Sequence, residues 1–178
     1  MSFKALLSRL QEPDLIAVAM HWNAARGRKL MPGWTDIDPS AISRQLPIVW
    51  AYRYFPETET FVGRLAGEAI NAIHGRSIRG MALDDLFPTP DAAENVRARY
   101  LRVVKEPCMY RSTGQVFTKI GRSGTGERVI LPLASDGVHA DGVFGATFYR
   151  LAMPPLFAEG VSEAPFYMEP EYFPVSLP

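Results

Sequence analysis

The sequence lacks an excess of charge of either sign, a second cysteine and any long hydrophobic run. Nineteen basic residues balance nineteen acidic ones, and Cys108 is the only cysteine. A neutral chain has no global field to steer it toward nucleic acid or anionic lipid. One thiol excludes an internal disulfide and a multi-cysteine metal site, and no apolar run approaches the roughly 20 residues that span a bilayer. We therefore expect a soluble, cytoplasmic protein without a nucleic-acid or membrane partner.

The length and composition are those of one globular domain. The chain has 178 residues, of which 47% are hydrophobic and 21% charged, so it can bury a substantial core. Residues 1–30 form a predicted N-terminal helical region. In it, the apolar residues from Leu15 to Trp22 recur at helical spacing before Gly27, and Met1 to Leu10 shows similar spacing.

Segments rich in β-branched and aromatic residues predict five strands: Ile48–Phe55, Phe61–Ala66, Met109–Thr118, Arg128–Leu133 and Val143–Tyr149. Helical segments separate the second strand from the third, and the longest of them begins with Asp91 as its cap and runs to Lys105. Glycine-rich turns at Gly121–Gly126 and Asp136–Gly142 separate the last three strands. This order favours an α+β fold with an antiparallel sheet over a doubly wound parallel sheet.

Four short motifs resemble those of a family of short bacterial stand-alone PAS-domain proteins: Asp36–Pro39 (DIDP), Leu46–Pro47 (LP), Arg64–Gly67 (RLAG) and Leu131–Leu133 (LPL). The match covers roughly residues 20–150. The resemblance implies a PAS-like five-stranded antiparallel sheet with helices on one face and a cavity between them. The strand count from the residues agrees, and residues 31–150 are the expected core of the domain.

The cofactor signatures of such proteins are missing from the sequence. Flavin-binding photosensors carry an asparagine-cysteine-arginine-phenylalanine-leucine run in a central helix, whereas Cys108 follows Pro107 and resembles a small buried hydrophobe. Haem-binding members have a histidine on the long helix, and Asp91 to Lys105 contains none. Haem and flavin are therefore disfavoured, and the cofactor, if there is one, stays unknown.

Neither a metal site nor a catalytic site is expected. His21, His74 and His139 are the only histidines, and no two of them have ligand spacing. The sequence has no nucleophile-elbow motif and no carboxylate pair at a spacing that suggests acid–base work. The chain is therefore not expected to be an enzyme.

Arg64 is unusual because it interrupts an otherwise apolar strand. A buried guanidinium needs a partner, and Asp36 or Asp38 in the DIDP motif is the expected one, with an anionic ligand as the alternative.

The expected function is that of a regulatory module. A cavity would bind a small apolar or mildly anionic molecule and change the affinity for a separate protein partner. The expected lining comes from the strands and the helix that face each other: Trp50, Tyr52, Arg64, Ile70, His74, Tyr110 and Phe148. The alternative is a constitutive assembly module with a filled core, which forms a homodimer through its N-terminal helix.

Residues 151–178 form a proline-rich C-terminal arm, which is unsuited to a regular helix or a central strand. Two interpretations stay open, a disordered linker and an irregular arm that packs its aromatic residues onto the domain or a partner. Those residues are Phe157, Phe166, Tyr167, Tyr172 and Phe173.

Overall fold

Two helices form the N-terminal region, as the apolar spacing predicts. In the computed structural model, which describes residues 2–87, 89–119, 122–151 and 170–178, α1 spans Ser2–Arg9 and α2 spans Pro13–Ala25. Pro13 fits the first turn of α2 because backbone N–H groups there have no partner within the helix. The buried side of α2 runs from Leu15 to Trp22, which is the predicted apolar face.

Further helices precede the first strand and fill the region between the second strand and the third. They are a 3₁₀ helix at Pro39–Ile48, which precedes the first strand, α3 at Glu68–His74, a 3₁₀ helix at Leu83–Leu86 and α4 at Pro90–Lys105. Asp38 caps the first of them by accepting a hydrogen bond from the N–H of Ser40 at 2.9 Å. The cap of α4 is Thr89, which accepts from Ala92, and Asp91 lies within the first turn instead. The predicted cap at Asp91 was therefore two residues late.

In the described part of the chain, six antiparallel strands form one sheet. They are β1 at Val49–Phe55, β2 at Thr60–Ala66, β3 at Cys108–Lys119, β4 at Arg122–Leu133, β5 at Gly142–Leu151 and β6 at Glu171–Pro174. The spatial order is β2-β1-β5-β4-β3-β6. The five predicted strands are confirmed. The sequence assigned Gly121–Gly126 to a turn, but β4 already begins at Arg122 and pairs with β3 there.

The sixth strand comes from the C-terminal arm. Residues Glu171–Pro174 pair antiparallel with the outer edge of β3. Tyr172 lies edge-on to Tyr110 with ring centroids 5.1 Å apart, and Phe173 packs under the N-terminal helices. The described end of the arm thus packs on the domain. Phe157, Phe166 and Tyr167 lie outside the described residues.

Helices cover part of each face of the sheet, and successive residues of a strand point to opposite faces. On one side Val49 and Ala51 pack beneath α1 and α2. On the other side Trp50 and Tyr52 pack beneath α3 and α4. We call these layers the N-terminal core and the central core. The central core corresponds to the sheet with helices on one face that the resemblance implied. None of the described helices is long and apolar enough to cross a bilayer.

Candidate ligand-binding site

A cluster of aromatic rings occupies the middle of the central core. The apolar stripe of α4 turns Tyr100 onto β1, where its ring stacks on Trp50 at 5.4 Å and 11°. Tyr52 and Phe61 approach the ring of Tyr100 at 5.6 Å and 5.5 Å. Rings at these separations attract one another beyond the area they bury. The cluster therefore fixes α4 against the sheet.

The indole of Trp50 is held in one position by β5. Its N–H donates to the Thr147 hydroxyl at 2.9 Å, inside the protein. The ring lies across Gly145, where an added Cβ would come within 2.4 Å of the indole. Only glycine at this position leaves room for the ring.

A buried arginine joins the same layer from β4. Arg128 is only 7% exposed, and its Nε donates to the Thr147 hydroxyl at 3.0 Å. Burial is the main cause that lowers the pKa of Arg128, and the positive charge of Arg99 on α4 also lowers it. Arginine keeps its charge even so, because its ordinary pKa lies above 12. The layer therefore contains a desolvated cation, which is costly unless other groups stabilise it.

Two hydroxyl groups beside this cation have no hydrogen-bond partner among the described residues. They belong to Tyr110 and Ser112 on β3, and both side chains are fully buried. Ser112 lies directly opposite Arg128 in the β3–β4 ladder. A buried hydroxyl without a partner costs about 1–3 kcal/mol, so such groups call for an explanation in terms of ligand or water binding.

Two further tyrosines stay neutral in this environment. Burial is the main cause that raises the pKa of Tyr52 and that of Tyr100 above the ordinary value for a phenol. Their hydroxyl groups therefore keep their protons throughout the physiological range. The polar groups that the described residues bring to this layer are positively charged or neutral, a combination that suits an anion.

The structure brings four of the seven expected lining residues together. Trp50, Tyr52, Ile70 and Tyr110 all lie in the central core. His74 is at its margin, half-buried at the end of α3, with its ring 6.4 Å from that of Phe87 and edge-on to it.

The remaining two expected lining residues lie on the opposite side of the sheet. Phe148 packs against the N-terminal core, because it is one residue beyond Thr147 on β5 and therefore points the other way. Arg64 is exposed, with its guanidinium 5.2 Å from the centroid of the Trp34 ring. This corrects the expected placement of both side chains between the sheet and the helices.

The expected pairing of Arg64 with an aspartate was wrong. Asp36 accepts from Lys29 and from the N–H of Gly33, both at 2.7 Å. Asp38 caps the 3₁₀ helix. Arg64 needs no buried partner, because water solvates its charge.

Sequence reasoning missed the polar half of the site. Tyr100 lies in the predicted long helix from Asp91 to Lys105, but no sequence motif pointed to Arg128, Thr147 or Ser112. Arg128 shares a strand face with Ile130, and this period-2 spacing was the available signal. It was hard to use because both faces of β4 are buried, so alternation gave no contrast between inside and outside.

Histidine and cysteine take structural positions. His21 accepts a hydrogen bond at Nε2 from the N–H of Asp38 at 3.0 Å, and His139 contacts Asp136 in an exposed turn. Cys108 is buried, and burial raises its pKa to about 11. In the described part of the chain no group of three or more histidine, cysteine, aspartate or glutamate side chains is placed to hold a metal ion.

Comparison with known proteins identifies the fold family. The sequence model of the PAS domain matches residues 10–148, which covers α2 to α4 and β1 to β5 up to Phe148. The chain belongs to the PAS domain family, whose members are typically sensory and regulatory modules. This confirms the resemblance carried by the four motifs.

One similar solved structure is that of a complex of Vibrio cholera VqmA with ligand and DNA. It matches over 62% of this chain and 49% of that chain, at 14% sequence identity and a TM-score of 0.45. This chain therefore spans about half the length of that protein. Among proteins of curated function, none matches the sequence.

Proposed function

We propose that this PAS domain is a sensor that binds a small anionic molecule between the sheet and α4. The observation that carries the proposal is the buried guanidinium of Arg128 beside the hydroxyls of Tyr110 and Ser112, for which the described residues supply no hydrogen-bond partner. A carboxylate or similar anion would accept hydrogen bonds from all three groups.

The neighbouring rings support a flat apolar body for the same molecule. Tyr100 and Trp50 are stacked, and Tyr52 meets them at an angle. A ligand that entered this layer would exchange ring–ring contacts for ring–ligand contacts of similar energy. The proposed ligand class is thus a small aromatic or other flat molecule with one negatively charged group.

Binding would be communicated through α4 to a separate protein. Tyr100 anchors α4 in the aromatic cluster, and Arg99, the preceding residue of α4, is close enough to lower the pKa of Arg128. A ligand shifts the position of a helix only if it binds two positions with different affinity. A ligand inserted beside Tyr100 would bind the two positions of α4 with different affinity.

Native mass spectrometry of protein purified from its own organism tests the proposal. A small molecule that is retained under gentle conditions and released on denaturation is the expected result. Tyr110→Phe should lower the retained fraction at least about tenfold, because one hydrogen bond to a charged group is lost. The same substitution should leave the ligand-free fold equally stable or more stable, because it removes a buried hydroxyl to which the described residues offer no partner. Full retention by both Tyr110→Phe and Arg128→Met would refute the proposal.

A constitutive dimerisation module is the second candidate. The rings of the central core already contact one another closely, which fits a core filled by the protein itself. Met20 on α2 is 52% exposed, which suits a contact between N-terminal helices. A bare dimer in native mass spectrometry would favour this function over the sensor.

A further inference from the structure

A groove with three arginines opens on the side of the sheet away from the central core. It has a volume of about 500 Å³, and its charged lining residues are Arg53, Arg64 and Arg79. Phe55 and Leu65 also line it and are 41% and 42% exposed. We call these five residues the arginine groove.

Strand geometry explains why this surface is open. Val49 and Ala51 of β1 point toward the N-terminal helices and are buried beneath them. Arg53 and Phe55 follow on the same side of the strand, and both are exposed. The helices therefore cover the first half of β1 and leave its second half uncovered. Because β2 is an edge strand, the groove lies at the border of the sheet.

The charge of the groove is unbalanced. None of the described residues that line it is acidic. Among the described residues, none of its three arginines takes part in a salt bridge, and Arg64 lies over the ring of Trp34. Three close cations repel one another, which a bound polyanionic surface relieves.

Polar and apolar features together indicate the kind of partner. Nucleic acid would match the arginines, but a chain with a formal net charge of zero and two exposed apolar side chains in the groove suits it poorly. A single small anion would leave Phe55 and Leu65 exposed. An acidic peptide segment with an apolar side chain would satisfy both features, since arginine and aromatic residues are enriched at protein interfaces.

The groove is also connected to the central core. Arg79 lies between Ile78, which is fully buried in that core, and Gly80, whose N–H donates to the carbonyl of Gly63 on β2 at 2.7 Å. A displacement of Ile78 would therefore shift the arginine next to it. The ligand layer and the groove share this short segment.

We propose that the arginine groove is the docking site for an acidic segment of another protein, anchored by one apolar side chain between Phe55 and Leu65. The docked protein would be the partner through which the proposed sensor acts, and this part of the inference rests on the proposed function. The contact itself needs only the surface residues described above.

Site-specific photo-cross-linking in the organism that makes the protein tests this assignment. Benzoylphenylalanine is placed at Leu65, and as a control at Met20, an exposed apolar residue of α2. We expect a cross-link from Leu65, and not from Met20, to a segment of another protein rich in aspartate and glutamate, mapped by mass spectrometry. A Leu65 cross-link only to nucleic acid, to this chain or to a segment without acidic residues would overturn the proposal. A yield no higher than that from Met20 would also overturn it.

Charge reversal distinguishes this specific contact from nonspecific binding. Arg53→Glu with Arg79→Glu should reduce the cross-link at least about tenfold, because two attractive charge contacts become repulsive. The matched control Arg28→Glu, at an exposed arginine outside the groove, should retain it. An equal loss in both would refute the role of the groove. The Leu65 cross-link should persist in Arg128→Met, so that failure of the ligand site and failure of the docking site give different results.

Discussion

Arg111 donates from Nε to Oε1 of Glu127 at 2.7 Å, and both side chains are buried. The same carboxylate accepts the backbone N–H groups of Gln11 at 3.0 Å and Glu12 at 2.9 Å, just before α2. Arg111 also bonds Glu171 of β6. One ion pair thus connects the adjacent strands β3 and β4 with the N-terminal helices and the C-terminal arm.

Replacing only one residue of the Arg111–Glu127 ion pair should destabilise the fold strongly. Glu127→Gln leaves Arg111 buried with reduced compensation, and Arg111→Met leaves the carboxylate with fewer donors. We expect each to lower the free energy of unfolding by about 3–5 kcal/mol, measured by urea denaturation. The double variant Arg111→Met with Glu127→Gln should lose clearly less than the sum of these two single variants, because neither side chain of the pair is then charged. Strict additivity would contradict the buried coupling.

Gly145 should not tolerate a methyl group. Gly145→Ala places Cβ against the Trp50 indole, which must leave its stack on Tyr100. We expect a loss of about 2 kcal/mol or more in unfolding free energy, with a changed near-ultraviolet circular dichroism spectrum. Gly33→Ala is the matched control, because its Cβ would meet neighbouring atoms only at 3.4 Å. Equal behaviour of the two variants would contradict the packing of Trp50.

The single thiol should react slowly in the folded protein. Burial raises the pKa of Cys108 to about 11, so at pH 8 the thiolate fraction is more than about a hundredfold below that of a free cysteine. Labelling with a maleimide should be slower by at least that factor than in guanidinium, where the chain is unfolded. Rapid labelling under native conditions would contradict the prediction and show that the first residues of β3 open to solvent.

Asp136 should contribute to the acid sensitivity of the fold. Its pKa is lowered to about 2, chiefly by the backbone N–H of Val138 and also by hydrogen bonds from His139. A carboxyl group with a pKa below its unfolded value of about 3.9 stabilises the fold above that pH. This contribution is lost as the pH falls from about 4 to about 2. We expect Asp136→Ala to lose less stability than the natural protein across this interval, measured by urea denaturation at several pH values. An NMR titration midpoint near 4 for Asp136 would contradict the prediction.

The sheet and its helices were predictable because local signals agreed. Hydrophobic spacing, prolines and glycines place most boundaries of β1, β2 and α4 within a residue or two. β6 was not predicted, since its four residues lie in a proline-rich arm and become a strand only by pairing with distant β3. Such long-range pairing leaves no local trace.

The candidate site was predictable only in its apolar half. Trp50, Tyr52 and Tyr110 follow from strand position and residue type. For Arg64, the strand pattern predicts only which neighbouring residues share its side of the sheet. Whether helices cover that side depends on where α1 and α2 end. Arg128 required the opposite insight, that a charged residue at the start of a predicted strand is buried.

Strand β1 lies between the N-terminal core and the central core and contributes side chains to both. Trp50 and Tyr52 touch the proposed ligand layer, and Val49 and Ala51, on the same stretch of backbone, touch the N-terminal helices. A covalent chain of four residues cannot slide on one side and stay fixed on the other. A displacement of β1 by a ligand in the central core would therefore also move the residues that pack against α1 and α2. These two helices would then change position in response to a ligand that they do not contact.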